Sequence, residues 1–163
     1  MTPADRLARW VLTFGGSGTS PVAPGTCGSL AAVAVGALLN ETLALPYLFP
    51  VLAIGASILT VYLGSRIKEI FGVEDPGAVV LDEAAGQWLA LSFLPLVGGG
   101  VVAYLWAFLL FRFFDVVKPL GIRKLEKYPG GWGVLLDDLA AGIMAGLVHW
   151  GGWALLEPGI AAW

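Results

Sequence analysis

A single cysteine and a single histidine stand among 163 residues. One thiol excludes an intramolecular disulfide, and one thiol with one imidazole excludes a zinc site built from such ligands. Charge is scarce as well. Only 13% of the residues are Asp, Glu, Lys or Arg, where soluble domains carry about 25%. The apolar fraction is 58% and the mean hydropathy is +0.82. This balance predicts an integral membrane protein, and the length predicts one domain covering residues 1–163. The net charge of −3 says little about partners. Membrane lipids are expected among them and nucleic acid is not. A cleavable signal peptide is not evident: residues 1–28 are broken by Gly, Ser and Pro, and no small-residue cleavage site follows an apolar core. No internal repeat of solenoid length occurs either.

Five apolar segments are present: Leu30–Leu45, Tyr47–Gly64, Ala84–Val97, Val101–Phe114 and Leu139–Leu156. A perpendicular span needs about 20 residues. The second and fifth segments fit, and the other three are short. The predicted fold is all-α, an integral membrane helical bundle of about five segments. A short amphipathic helix, Met1–Phe14, precedes it, with Asp5, Arg6 and Arg9 among Leu7, Trp10, Val11 and Leu12. A frayed terminus is the alternative there. The third and fourth segments have an alternative too, a re-entrant pair meeting at Gly98-Gly99-Gly100. Under five spans all nine Lys and Arg fall on one side, which the positive-inside rule makes the cytoplasm. Glu41, Glu157 and the C-terminus then lie outside.

Two acidic pairs stand out. Asp82-Glu83 precedes the third apolar segment, and Asp137-Asp138 precedes the fifth. Small residues follow both pairs, and small residues allow close helix approach in membranes. If the helices meet, four carboxylates converge and require a cation. Hard cations such as Mg²⁺ take all-oxygen ligands. Asp82, Glu83, Asp137 and Asp138 are therefore the expected metal ligands, with Asp115 as a fifth catalytic candidate. The alternative for either pair alone is helix capping.

Other polar features are open to two readings. The loop Gly15–Ser29 lacks the lysine and spacing of a P-loop. Its hydroxyls, on Ser17, Ser20, Thr26 and Ser29, together with backbone N–H groups can hold a phosphate. It also reads as an ordinary turn with Ser29 as an N-cap. Arg112, Asp115 and Lys118 are spaced by three, so they share a helix face up to the stop at Pro119. They form either a local salt bridge or, through Arg112 and Lys118, a grip on phosphate. Arg123, Lys124 and Lys127 read as lipid-surface anchors. Covalent phosphatase routes lack their residues: Cys27 has no arginine at the required spacing, there is no Asp-x-Asp start, and His149 stands alone in an apolar segment. What remains is water activated by a metal.

At these residues the chain resembles the phosphatidylglycerophosphatase A family. The stretches that carry the likeness are Gly16-Ser17-Gly18 with Pro24-Gly25-Thr26-Cys27-Gly28-Ser29, Val79-Val80-Leu81-Asp82-Glu83 with Gly86, Arg112-Phe113-Phe114-Asp115 with Lys118-Pro119, and Gly130-Gly131-Trp132-Gly133 with Leu136-Asp137-Asp138 and Ala141-Gly142. The resemblance implies a Mg²⁺-dependent lipid phosphatase, multi-pass in the bacterial inner membrane, with its site facing the cytoplasm. It would convert phosphatidylglycerophosphate to phosphatidylglycerol. Cys27 stands where the family carries an apolar residue, so it is expected to be dispensable. From the residues alone, a cation or phosphate transporter using the same carboxylates is the rival reading, and a nonenzymatic scaffold is a third.

Overall fold

A computed structural model describes residues 1–73, 76–94 and 100–156. Asp75, Pro95–Gly99, Glu157 and Trp163 lie outside the described residues, and with them most of the predicted glycine turn. Among the described residues there is no strand. Seven α-helices occur there: α1 Pro3–Leu12, α2 Pro24–Leu43, α3 Leu48–Gly64, α4 Ile67–Phe71, α5 Leu81–Leu91, α6 Val101–Val117 and α7 Gly131–Leu156.

The bundle is built around α5. This helix packs against α2, α3, α6 and α7, and nine of its eleven residues are buried. A helix of that length is about 17 Å long, roughly half a hydrocarbon core. The predicted third segment therefore changes character. Its helix starts at Leu81 and ends at Leu91, where Ser92 Oγ turns back to the Trp88 carbonyl at 2.9 Å. It is a half-length helix enclosed by its neighbours. Small residues make the enclosure possible. A Cβ on Gly142 of α7 would lie 2.3 Å from the Gly86 carbonyl oxygen of α5. Only glycine permits that approach of the two backbones.

α7 begins eight residues before the predicted Leu139, at Gly131. Its first turn lies against α3, where a Cβ on Gly131 would come within 2.6 Å of the Thr60 carbonyl oxygen. Packing against α3 makes helix of a glycine-rich run whose propensity is poor. As a result Asp137 and Asp138 lie in the second turn of α7, not at its head, while Asp82 and Glu83 do occupy the first turn of α5. α2 likewise starts earlier than predicted. Pro24 sits in its first turn, and Ser29 is an interior residue whose Oγ donates to the Gly25 carbonyl at 2.9 Å. Ser29 is not an N-cap.

α1 is a docked helix, not a frayed end. Thr2 and Asp5 form a capping box, and Ala8 and Leu12 pack on Leu63, Ile67 and Ile70. Arg66 donates to Asp5 at 2.6 Å. The Asp5 carboxyl is held below its ordinary value, first by hydrogen bonds from Thr2 and then by Arg66. Two helices are long and apolar enough to cross a membrane: α2, with 20 residues, and α7 over its first 23. α3 is apolar but has 17 residues. Outward positions such as Leu38, Ile54, Ile58, Trp106 and Leu109 are exposed apolar residues, while carboxylates are buried within. That inversion suits a lipid surround.

Candidate active site

Three helices bring acids to one place. The first turn of α5 supplies Asp82 and Glu83, the last turn of α6 supplies Asp115, and the second turn of α7 supplies Asp137 and Asp138. All five line one cavity of about 310 Å³, together with Lys118, Tyr128, Gly130 and Gly133. One oxygen from each of Asp115, Asp137 and Asp138 lies within 4.8 Å of the others. Asp137 and Asp138 are buried, and the Asp115 side chain is 12% exposed. Like charges at that separation repel by roughly 3 kcal/mol per pair at an effective dielectric near 20.

Two cations answer part of that charge. Arg112 Nη1 donates to Glu83 Oε2 at 3.0 Å and to Asp115 Oδ2 at 2.8 Å. It also reaches Ser29 Oγ at 3.2 Å, and that hydroxyl lies 3.3 Å from Glu83 Oε2. Glu83 is pressed against the start of α2, where a Cβ on Gly25 would fall 2.1 Å from Glu83 Oε1. Lys118 donates to Asp137. Its backbone is left-handed at φ 47°, immediately before Pro119, and Lys118 N–H closes α6 on the Phe114 carbonyl at 2.8 Å. A non-glycine residue held there stores roughly 1–3 kcal/mol of strain, which the closing bond and the Asp137 pairing sustain.

The acids still outnumber these two cations by three. Two carboxylate oxygens, Asp82 Oδ1 and Asp137 Oδ1, are buried with no hydrogen-bond partner among the described residues. Such atoms are costly to bury unsatisfied. Oxygen-only donors, excess negative charge and orphaned acceptors together fit a hard divalent cation.

The predicted site residues divide unevenly. Asp82, Glu83, Asp115, Asp137, Asp138 and Lys118 converge on the cavity. Asp115, read from sequence only as a fifth candidate, belongs to the tightest acidic group and is tied to Arg112, and Glu83, outside that group, shares the same guanidinium. Arg112 makes the expected local pair with Asp115 but turns toward Glu83 as well. Of the loop hydroxyls, only Ser29 joins this network. Ser17 Oγ donates to the Phe14 carbonyl at 3.0 Å and Ser20 Oγ to the Val22 carbonyl at 2.9 Å. Neither they nor Thr26 line the cavity. Short hydroxyl side chains in turns satisfy their own backbone, as Ser17 and Ser20 do. Two further buried or cavity-lining residues carry little signal in the sequence. Tyr128 lines the cavity, and its signal is an aromatic residue set between a basic run and Pro129-Gly130. Gln87 is fully buried in α5, one turn beyond Glu83.

Residues 10–152 match the family described as Phosphatidylglycerophosphatase A. The chain belongs to that family. It is 37% identical over 137 residues to the phosphatidylglycerophosphatase A of Escherichia coli, covering 82% of this chain and 77% of the relative. With the Haemophilus influenzae phosphatidylglycerophosphatase A it shares 38% over 134 residues, 82% of this chain and 80% of that one. A Bacteroides thetaiotaomicron protein named putative phosphatidylinositol-3-phosphatase is 41% identical over 132 residues, 78% of this chain and 82% of its own length. No solved structure matches the chain. All five acids, Arg112 and Lys118 fall within the stretch matched to the phosphatidylglycerophosphatase A family.

Proposed function

We propose that this chain is a Mg²⁺-dependent phosphatidylglycerophosphatase. It would hydrolyse the terminal phosphate monoester of phosphatidylglycerophosphate, giving phosphatidylglycerol and inorganic phosphate. The observation that carries this reading is the convergence of five acids and Lys118 on one cavity, in a chain of this family. Asp115, Asp137 and Asp138 would hold the cation, with Asp82 beside them. Bound there, Mg²⁺ supplies Lewis-acid polarisation of the phosphoryl group and acidifies water.

The chain's own groups do the rest. Lys118 offers an ammonium at the cavity wall, able to share its protons between Asp137 and a phosphate oxygen. Arg112 holds Glu83 and Asp115 in place against their mutual repulsion. Tyr128 adds a hydroxyl-bearing side chain to the wall. A dianionic phosphate would be repelled by five acids alone, so binding of substrate and of cation should be coupled. The reading places one membrane-embedded domain in the bacterial inner membrane, with the cavity on the cytoplasmic side. The sidedness rests on the clustering of all nine basic residues.

A second reading, removal of the 3-phosphate from phosphatidylinositol 3-phosphate, is favoured by the name of the Bacteroides relative. Both reactions cleave a phosphate monoester at the bilayer surface. Purified protein incubated with each lipid, with Mg²⁺ and with chelator, separates these readings. Metal-dependent phosphate release from phosphatidylglycerophosphate, lost in Asp138→Asn, is the expected result. No release from either lipid returns the transporter reading.

A further inference from the structure

A second cavity, of about 580 Å³, lies on the other side of α5 from the Asp138 backbone, between α1, α2, α3 and α5. Its size falls within the range of about 300–1,000 Å³ common for small-molecule sites. Its wall is apolar. Trp10 and Phe14 stand at the α1 end, Val35 projects from α2, and Leu81 and Trp88 come from α5. Trp88 is fixed there by its indole N–H, which donates to the Ala32 carbonyl at 2.9 Å, and by an edge-on contact with Phe14. On α3 the wall includes Gly55, where an added Cβ would meet nothing within 4 Å. The groove is thus preformed and open at Gly55.

Its position says what fits it. Leu81 lines the groove, and the next residue, Asp82, lines the acidic cavity. One helical step separates apolar wall from carboxylate. A ligand spanning both would carry an apolar tail joined to a phosphate. Val35, Val51 and Leu59 line the groove and are themselves exposed, so a tail could reach the groove sideways from a bilayer without leaving apolar surroundings.

We infer that this groove is an acyl-chain subsite, holding one fatty chain of the phospholipid whose phosphate occupies the acidic cavity. The inference rests on the lipid-phosphatase reading and adds where the lipid's tail binds. It makes the enzyme selective for chain length through fit: tail, bilayer and groove are apolar alike, so seating the chain adds little transfer energy and acts by positioning the phosphate.

The test compares two substrates with the same headgroup, one with hexanoyl and one with palmitoyl chains, in detergent micelles. Gly55→Phe fills the groove from α3, and Val35→Trp fills it from α2. Ile54→Phe, on the outward face of α3, is the control. The expected result is a fall of roughly tenfold or more in the palmitoyl-to-hexanoyl ratio of kcat/KM for both filling variants, since a long chain denied its seat misplaces the phosphate while a short one occupies less of the groove. The ratio in Ile54→Phe should stay within about twofold of the parent. A ratio unchanged in both filling variants, with the parent active, overturns the groove and leaves the phosphatase reading intact. A parent inactive on both substrates overturns the phosphatase reading and the groove with it.

Discussion

Substituting Gly142 by alanine tests whether the site depends on how closely α5 and α7 approach. The added Cβ would sit 2.3 Å from the Gly86 carbonyl oxygen, where real contacts scarcely fall under 3.0 Å. The obstacle is backbone within a buried helix, so no rotamer relieves it. The two helices must part by at least about 0.7 Å, the difference between those distances. α5 carries Asp82 and Glu83, and α7 carries Asp137 and Asp138, so the parting widens the site directly. A misplacement near 1 Å costs on the order of 10²-fold in rate. Phosphate release per folded molecule should therefore fall roughly 10²-fold in Gly142→Ala. Gly151→Ala, at a position of the same helix with open space around it, should stay within about twofold. Size-exclusion profiles in detergent report folding for each. A folded Gly142→Ala protein with near-parental turnover would refute the idea that this contact sets the site.

Three other outcomes follow from the same geometry. Arg112→Met removes the guanidinium shared by Glu83 and Asp115 and leaves two mostly buried acids uncompensated. Breaking such a pair costs roughly 3–5 kcal/mol, so the melting temperature in detergent should drop by about 10 °C; Arg112→Lys should recover only part of the loss, because it keeps the charge while its shorter side chain falls short of the Nη1 position that meets both acids. Lys118→Ala should lower phosphate release by more than roughly tenfold, whereas Lys124→Ala, which removes an exposed cation away from the cavity, should change it by less than about twofold; equal losses would deny Lys118 its role. Cys27→Ala should keep most of the activity, because the thiol is turned to the Val22 carbonyl at 3.7 Å and does not line the acidic cavity; loss of turnover in a folded variant would bring back thiol chemistry.

The features legible in the sequence are local ones. The i, i+3 pairing of Arg112 with Asp115, the stop before Pro119 and the first-turn location of Asp82 and Glu83 all depend on spacing along one helix. Pro24 is a start signal for α2, since proline is preferred at the first helical position. The hydroxyl of Ser29, five residues on, is a competing cap signal. The helical state of Gly131–Gly133 was not legible, because it comes from backbone packing on α3 at Thr60. Nor was the rank of the acids. That Asp115 joins Asp137 and Asp138 while Glu83 is bound to Arg112 is settled by contacts across 22 to 29 residues of chain. The loop serines had the right chemistry for phosphate, but composition does not say where a hydroxyl points.

The length of α7 bears on depth. Twenty-six residues make a helix of about 39 Å, roughly 9 Å longer than a typical hydrocarbon core. Asp137 follows Gly131 by six positions, about 9 Å along the axis. If the excess length projects at the Gly131 end, the carboxylates sit level with the headgroups, where a phospholipid's phosphate lies. A bilayer thicker than a more upright helix can match would draw that end inward. The acids would then be submerged beneath the layer that delivers the substrate. Under the lipid-phosphatase reading, turnover would thereby be tied to the thickness of the membrane around it, through the overhang of a single helix.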